Sequence, residues 1–97
     1  MGKKDYYPGD TVSRYYYFRD KDNVPVDPDT FSSDVYDPDD VKISPSPTLT
    51  KIAVGQYEFD YTLAADANAG IWHVVITGAK GLYNRVRSFG FQVVALP

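Results

Sequence analysis

The feature that most constrains this chain is a strict alternation of apolar and polar side chains after Gly55. The apolar positions are Tyr57, Phe59, Tyr61 and Leu63, and the polar positions between them are Gln56, Glu58, Asp60 and Thr62. Successive side chains of a β-strand point to opposite faces, so a period of two predicts a strand with one dry face. Such a strand needs a second apolar layer to cover that face.

Shorter alternating segments recur along the chain, separated by the turn residues Gly, Pro, Asn and Asp. The predicted strands are a short one at Tyr6 and Tyr7, then 11–19, 30–36, 48–52, the segment after Gly55, 71–77 and 85–95. Between them, 24–29 carries two prolines that exclude it from a central strand. The segment 41–47 is predicted as a loop or irregular edge, 64–70 as a crossover and 78–81 as a turn. The pattern predicts an all-β fold, an immunoglobulin-like antiparallel β-sandwich of about seven strands.

Aromatic side chains dominate the predicted interior. The sequence has nine Tyr, five Phe and one Trp, and these residue types favour pleated, half-buried sheet surfaces. The predicted core contains Tyr57, Phe59, Tyr61, Trp72, Phe89 and Phe91. Burial of apolar surface contributes about 25 cal/mol per Å², so these rings are expected to be a main source of stability.

Length and residue content exclude several classes of site. The 97 residues are predicted to form one domain, 1–97. The sequence has no Cys, and His73 is its one histidine, which excludes a disulfide framework, a thiolate metal site and a histidine cluster within this chain. No apolar run approaches the roughly 20 residues that a membrane span needs. The first eight residues lack the apolar segment of a secretory signal, so no membrane partner is expected.

The charge balance argues against nucleic-acid binding. Ten Lys and Arg face thirteen Asp and Glu, which gives a net charge of −3. A net negative chain repels phosphate backbones unless a local basic patch overcomes the repulsion. The one candidate patch, Lys80 with Arg85 and Arg87, is too small for that role. No nucleic-acid partner is expected.

Acidic residues are the remaining candidates for chemistry. Asp20, Asp22, Asp27 and Asp29 are predicted to lie at one end of the sandwich, where carboxylate oxygens are weak calcium candidates. Turn carboxylates also accept hydrogen bonds from nearby amides, which is the simpler interpretation. Glycoside cleavage needs a carboxyl group of raised pKa and a groove for the sugar, and solvated turns supply neither. We therefore expect no catalytic residue, no metal ligand set and no cofactor.

An apolar patch on one sheet face is the predicted interaction surface. The third, sixth and seventh strands are neighbours in an immunoglobulin-like fold, so their outward side chains share a face. These are Tyr36, Ile71, His73, Val75 and Val94. A contiguous exposed apolar patch on a small domain marks a partner surface, so a protein partner or self-association is expected, and sugar stacking on exposed aromatic rings is the alternative.

An ordered series of short motifs extends across nearly the whole chain. Its elements are Pro8-Gly9-Asp10-Thr11-Val12, Val24-Pro25-Val26-Asp27, Val35-Tyr36-Asp37-Pro38-Asp39-Asp40, Gly55-Gln56-Tyr57, Ala69-Gly70-Ile71-Trp72-His73-Val74 and Phe91-Gln92-Val93. The series resembles short immunoglobulin-like proteins encoded among phage and prophage structural genes. It is also similar to the second macroglobulin-type domain of alpha-macroglobulins and related bacterial surface proteins. Asn23 and Asp40 stand where these families usually have glycine, so those two turns are expected to differ in shape.

The resemblance implies a scaffold or spacer without catalytic residues. We expect a non-enzymatic structural or protein-interaction module, a small phage or prophage virion or assembly component located in the virion or the host cytoplasm. The alternative is a carbohydrate-binding or adhesion module of a bacterial surface protein, stabilised by calcium and located at the cell surface.

Overall fold

In a computed structural model that describes residues 5–44, 47 and 49–95, the chain folds into seven β-strands. The strands are β1 (Asp5–Tyr6), β2 (Thr11–Tyr17), β3 (Thr30–Tyr36), β4 (Leu49–Ala53), β5 (Gln56–Thr62), β6 (Gly70–Lys80) and β7 (Tyr83–Val93). The described part of the chain contains no helix with the length and apolar character that a bilayer crossing requires. Met1–Lys4 of the N-terminal segment, Pro45 and Ser46 of the predicted loop, and Thr48 of the predicted 48–52 strand lie outside the described residues.

The strands form two sheets. One sheet has the order β1-β7-β6-β3 and the other the order β2-β5-β4. Every pairing is antiparallel except that of β1 with β7, which is parallel and joins Asp5 to Gln92 and Tyr6 to Val93. The predicted all-β architecture of about seven strands is confirmed.

Aromatic and branched side chains from both sheets fill the space between them. Of the six predicted core rings, Tyr57, Phe59, Trp72 and Phe91 are buried, and Tyr61 and Phe89 are partly buried against the same cluster. Trp72 stacks on Phe91 with ring centroids 6.0 Å apart, and its indole nitrogen donates a hydrogen bond to the Asn68 carbonyl oxygen at 2.8 Å. The inward faces predicted from alternation are therefore the faces that pack.

The predicted turn at 78–81 is wrong in its extent. β6 continues to Lys80, and Gly81 and Leu82 alone connect it to β7. Gly78 is a buried strand residue whose missing side chain makes room for Phe18, since a Cβ there would lie 2.8 Å from the Phe18 ring. This glycine serves a close packing contact, whereas Gly81 has the positive φ of 59° that the turn requires.

Candidate functional site

The five residues of the predicted interaction surface lie on one side of the four-stranded sheet. Opposite residues of antiparallel strands share a face, and the register pairs Tyr36 with His73, and His73 with Gly90. Val75 and Ile71 follow His73 on the same face of β6. Val94 continues the outward side of β7, and its amide donates to the Tyr6 carbonyl oxygen at 2.8 Å. We call Tyr36, Ile71, His73, Val75, Val94 and Val86, which pairs with Thr77, the outer sheet face.

A stacked ring pair lies at the β3 side of the outer sheet face. The Tyr36 and His73 rings are 4.9 Å apart between centroids and 14° from parallel. His73 Nε2 lies 3.6 Å from a carboxylate oxygen of Asp40. Ile71, on the same face of β6, is 55% exposed, and Val86, further along the face opposite Thr77, is 57% exposed. The face thus combines a stacked aromatic pair with two branched apolar side chains that are more than half exposed.

Two acidic turns use the same local geometry. After β2, one Asp20 carboxylate oxygen accepts hydrogen bonds from the amides of Asp22 and Val24, at 2.9 and 3.0 Å. After β3, Asp37 accepts from the amides of Asp39 and Val41, both at 2.9 Å. These contacts are the local carboxylate-to-backbone bonds that stabilise such turns.

Contrary to expectation, Asn23 and Asp40 do not move these turns away from the backbone conformation that glycine favours. Both residues adopt left-handed backbone conformations, with φ of 67° and 64°. Asn and Asp tolerate this region better than other side chains because they bond locally to the backbone. The turns keep the conformation that glycine would favour.

The other calcium candidates bind protein groups. Asp27 accepts hydrogen bonds from Lys51, Gly55 and Tyr57, and Asp29 accepts from the Gly81 amide at 3.0 Å. Asp29 also lies 3.8 Å from the Lys80 ammonium. Across residues 5–44, 47 and 49–95, no three His, Cys, Asp or Glu side chains come together in a way that would hold a metal ion.

A cleft between the two sheets gathers all four arginines of the sequence. Arg14 and Arg19 enter from β2 and the residues after it, and Arg85 and Arg87 enter from β7. The cleft has a volume of about 440 Å³ and is also lined by Tyr15, Tyr16, Tyr17, Asn23, Ile76, Ser88 and Phe89. We call this site the arginine cleft.

Tyr16 lies in the arginine cleft with its ring buried. The side chain is 5% exposed, and its hydroxyl is the one buried side-chain polar atom without a hydrogen-bond partner in the described part of the chain. Burial raises the pKa of Tyr16, and the nearby charges of Arg87 and Arg85 oppose that rise. The hydroxyl is therefore an unused donor buried in the wall of the cleft.

The arginine cleft was not predicted, because its arginines come from two distant parts of the sequence and form no basic run. Lys80 belongs to an ion pair with Asp29, whereas Arg85 and Arg87 face Arg14 and Arg19 across the cleft. The sequence did contain one signal for the cleft, namely the alternation of inward and outward side chains along each strand. Arg14 occupies an inward position between Val12 and Tyr16, and Arg85 and Arg87 occupy inward positions of the strand that carries Phe89. Charged residues at core-facing positions indicate an opening in the sandwich.

Comparisons with known proteins show the fold. Neither a family model nor a curated protein matches this sequence. Among solved structures, a DUF4785 family protein from Legionella pneumophila is similar over 94% of this chain, with 19% identity and a TM-score of 0.67. This chain spans only 26% of the length of that protein. The Lin-41 filamin domain is similar over 97% of this chain and 86% of its own length, with 14% identity and a TM-score of 0.65.

The fold is therefore an immunoglobulin-like β-sandwich, as the sequence predicts. The comparisons support the immunoglobulin-like part of the resemblance and give no support for a phage origin or for adhesion.

Proposed function

We propose that this chain is a non-enzymatic protein-interaction module, a small structural component of a phage or prophage particle that works in the virion or the host cytoplasm. Its partner contacts the outer sheet face. The observation that carries the proposal is the exposed apolar surface of that face, where Ile71 and Val86 are each more than half exposed on the same face as the Tyr36 and His73 stack. A partner that covers these side chains gains free energy from burying them.

The distribution of acidic groups supports a scaffold over an enzyme. Asp20 and Asp37 are held by turn amides, and Asp27 and Asp29 by lysines and glycine amides. Immunoglobulin-like sandwiches are common in non-catalytic cell-surface domains. The outer sheet face presents the exposed Ile71 and Val86 beside polar groups such as the Asp34–Lys42 ion pair, a mixture that suits a protein partner better than a small substrate.

The test is the association of the whole chain, alone and mixed with proteins encoded by neighbouring structural genes, by size-exclusion chromatography with light scattering. We expect a complex that Val75→Glu dissociates, because a buried unpaired carboxylate is costly at an interface. Tyr36→Ala is expected to weaken the complex by about tenfold, since an aromatic anchor contributes more than 1 kcal/mol.

Val54→Glu is the matched control, because Val54 is 58% exposed but lies in the β4–β5 turn, away from this face. It should leave the complex intact. Association that is unchanged by both face variants, with folding intact by circular dichroism, would contradict the proposal.

A second candidate function rests on exposed tyrosines of the other sheet. Tyr15 and Tyr17 project from the same side of β2 and are 58% and 49% exposed. Aromatic rings on one strand can stack on a sugar, so a carbohydrate-binding or adhesion module of a bacterial surface protein is the alternative. Binding of a glycan panel that is lost in Tyr15→Ala and Tyr17→Ala, and kept in Tyr36→Ala, would favour it.

The gene context separates the two settings. A gene located between capsid and tail genes supports the particle component. A reading frame that also encodes a signal peptide and further domains supports the cell-surface module.

A further inference from the structure

The arginines of this chain are gathered without acidic partners. Thirteen Asp and Glu are present in a chain of net charge −3, yet within the described residues no carboxylate lies at ion-pair distance from any of the four guanidinium groups. The ion pairs that do form in that part of the chain involve Lys42, Lys51, Lys80 and His73. Among the described residues, the arginines of the cleft therefore take part in none of the ion pairs of the chain.

Aromatic contacts hold the arginine side chains in place. The Arg14 guanidinium lies 4.2 Å from the centre of the Phe89 ring. Arg19 lies 5.9 Å from the Tyr17 ring, and Arg85 lies 5.9 Å from the Tyr83 ring. Cation–π contacts of this kind position a guanidinium while leaving its N–H donors available. The donors of Arg14 and Arg85 are thus positioned before any ligand arrives, whereas Arg19 already donates to the Asn23 carbonyl oxygen at 3.5 Å.

The Tyr16 hydroxyl is an independent indication of a ligand. A buried hydroxyl without a hydrogen bond is costly, and native proteins satisfy nearly all such groups. The Tyr16 ring is held between the sheets and is 5.3 Å from the Phe31 ring. The hydroxyl has less than 1 Å² of accessible surface, so a small displacement of the ring is needed to bring it to an acceptor oxygen placed in the arginine cleft. The same oxygen would then meet the guanidinium groups.

The edges of both sheets are open along the cleft. β2 is an edge strand of the three-stranded sheet. β7 runs from Tyr83 to Val93, but its outer edge is paired with β1 only at Gln92 and Val93 within the described residues. Within residues 5–44, 47 and 49–95, the backbone from Tyr83 to Phe91 therefore has no strand partner other than β6, and it lies beside the arginines.

These features together specify the ligand class. Guanidinium groups bind carboxylates in a bidentate manner, and an open strand edge binds an extended polypeptide through its main chain. A free phosphate uses the arginines but not the strand edge. The net negative charge of the whole chain disfavours a nucleic acid.

We propose that the arginine cleft binds an acidic peptide segment in extended conformation, which adds to the free edge of β7 and directs its carboxylates toward Arg14, Arg85 and Arg87. One of its oxygens accepts the Tyr16 hydroxyl hydrogen. This site is distinct from the outer sheet face, so the chain has two separate contact surfaces.

The test uses the full chain and a fluorescein-labelled peptide of alternating Glu and Val, with a Lys and Val peptide as the charge-reversed probe. We expect the acidic peptide to bind and to shift the amide resonances of β2 and of residues 83–91. Arg14→Gln and Arg87→Gln should each weaken binding by about tenfold, and Tyr16→Phe by about threefold. Because Arg14 packs on Phe89, Arg87→Gln is the variant to rely on if Arg14→Gln fails to fold.

Controls separate this site from the rest of the surface. Lys42→Gln and Lys80→Gln remove the same charge outside the cleft and should leave binding unchanged. Val75→Glu alters the outer sheet face and should also leave it unchanged, so this proposal and the proposed function fail separately.

Three results would overturn the proposal: equal binding of the Lys and Val peptide, displacement of the acidic peptide by inorganic phosphate at comparable concentration, or binding that survives Arg87→Gln in a folded protein. Self-association that disappears in the arginine variants would instead identify a second copy of this chain as the occupant.

Discussion

The Asp27 carboxylate accepts a hydrogen bond from the backbone amide of Gly55, with 2.9 Å between oxygen and nitrogen. The same carboxylate accepts from the Lys51 ammonium at 2.7 Å and from the Tyr57 hydroxyl at 3.0 Å. Asp27 lies in the proline-marked connection between β2 and β3, and Gly55 lies in the turn between β4 and β5. One side chain thus ties the segment that crosses between the sheets to a hairpin of the three-stranded sheet.

This contact predicts a dependence of stability on pH. The hydrogen bond from Lys51, followed by that from Gly55, lowers the pKa of Asp27 from 3.8 to about 2. A carboxyl group whose pKa is lower in the folded state stabilises the fold above its unfolded pKa, and this stabilisation is lost as the pH falls toward 2. Asp27→Asn should melt at a lower temperature at pH 7, and its melting temperature should vary less between pH 5 and pH 2. Thermal unfolding followed by circular dichroism measures both effects.

Asp22→Asn is the control for this series, since Asp22 is an exposed residue of the turn after β2. Its melting temperature should fall between pH 5 and pH 2 as that of the unaltered protein does. If Asp27→Asn shows the same fall, Asp27 does not contribute to the pH dependence of stability.

The contact of Gly78 with Phe18 predicts a steric penalty. In Gly78→Ala the new methyl group would meet the Phe18 ring at 2.8 Å, so the two sheets must separate or the ring must move. Overpacking of this kind costs about 1–3 kcal/mol of unfolding free energy. Gly90→Ala is a matched strand control, because its Cβ would meet the Trp72 carbonyl oxygen at 3.4 Å. Urea denaturation should separate the variants, and equal midpoints would contradict the packing argument.

The two acidic turns predict which residues their left-handed positions accept. Asn23→Val and Asp40→Val should each lower the unfolding free energy by about 1–2 kcal/mol, because a branched side chain clashes in this conformation. Asn23→Gly and Asp40→Gly should stay within about 0.5 kcal/mol of the unaltered protein, since glycine adopts positive φ freely but loses more entropy on folding. If valine and glycine gave the same stability at both positions, the turn geometry would be wrong.

The unpartnered hydroxyl of Tyr16 predicts a gain in stability on its removal. Without ligand, Tyr16→Phe should raise the unfolding free energy by about 1 kcal/mol, because a buried hydroxyl without a hydrogen bond is costly. The fluorescence of Trp72, which is 3% exposed, reports unfolding in urea. A loss of more than about 1 kcal/mol would instead show that the hydroxyl has a partner in the free protein. If Tyr16→Phe both raises the unfolding free energy and weakens peptide binding, Tyr16 is a residue that serves a ligand at the expense of stability.

Local patterns were enough to place most strands and their inward sides. The alternation after Gly55 predicted β5, and the prolines of 24–29 correctly excluded a strand there. The end of β6 was predicted too early because Gly78 looks like a turn residue in the sequence, and only its contact with Phe18 explains its position in a strand. Glycine permits both a turn and a close approach, and neighbouring residues do not distinguish them.

The two candidate sites also differ in whether the sequence could predict them. The residues of the outer sheet face could be predicted, because alternation assigns a face and the fold class assigns strand neighbours. The arginine cleft could not be predicted as a site, since Arg14 and Arg87 are far apart in the sequence and meet only where two sheet edges lie side by side. The inward positions of Arg14, Arg85 and Arg87 were visible in the alternation, but the opening that receives them was not.

By itself the amino-acid sequence determined which segments are extended and which side of each strand is dry, because these properties depend on residues two positions apart. The tertiary structure alone decided that β1 covers β7 only at Gln92 and Val93 within the described residues, that Asp27 reaches Gly55, and that four arginines share one cleft. Those relationships depend on pairings between distant segments, and each pairing is selected by the packing of both sheets together.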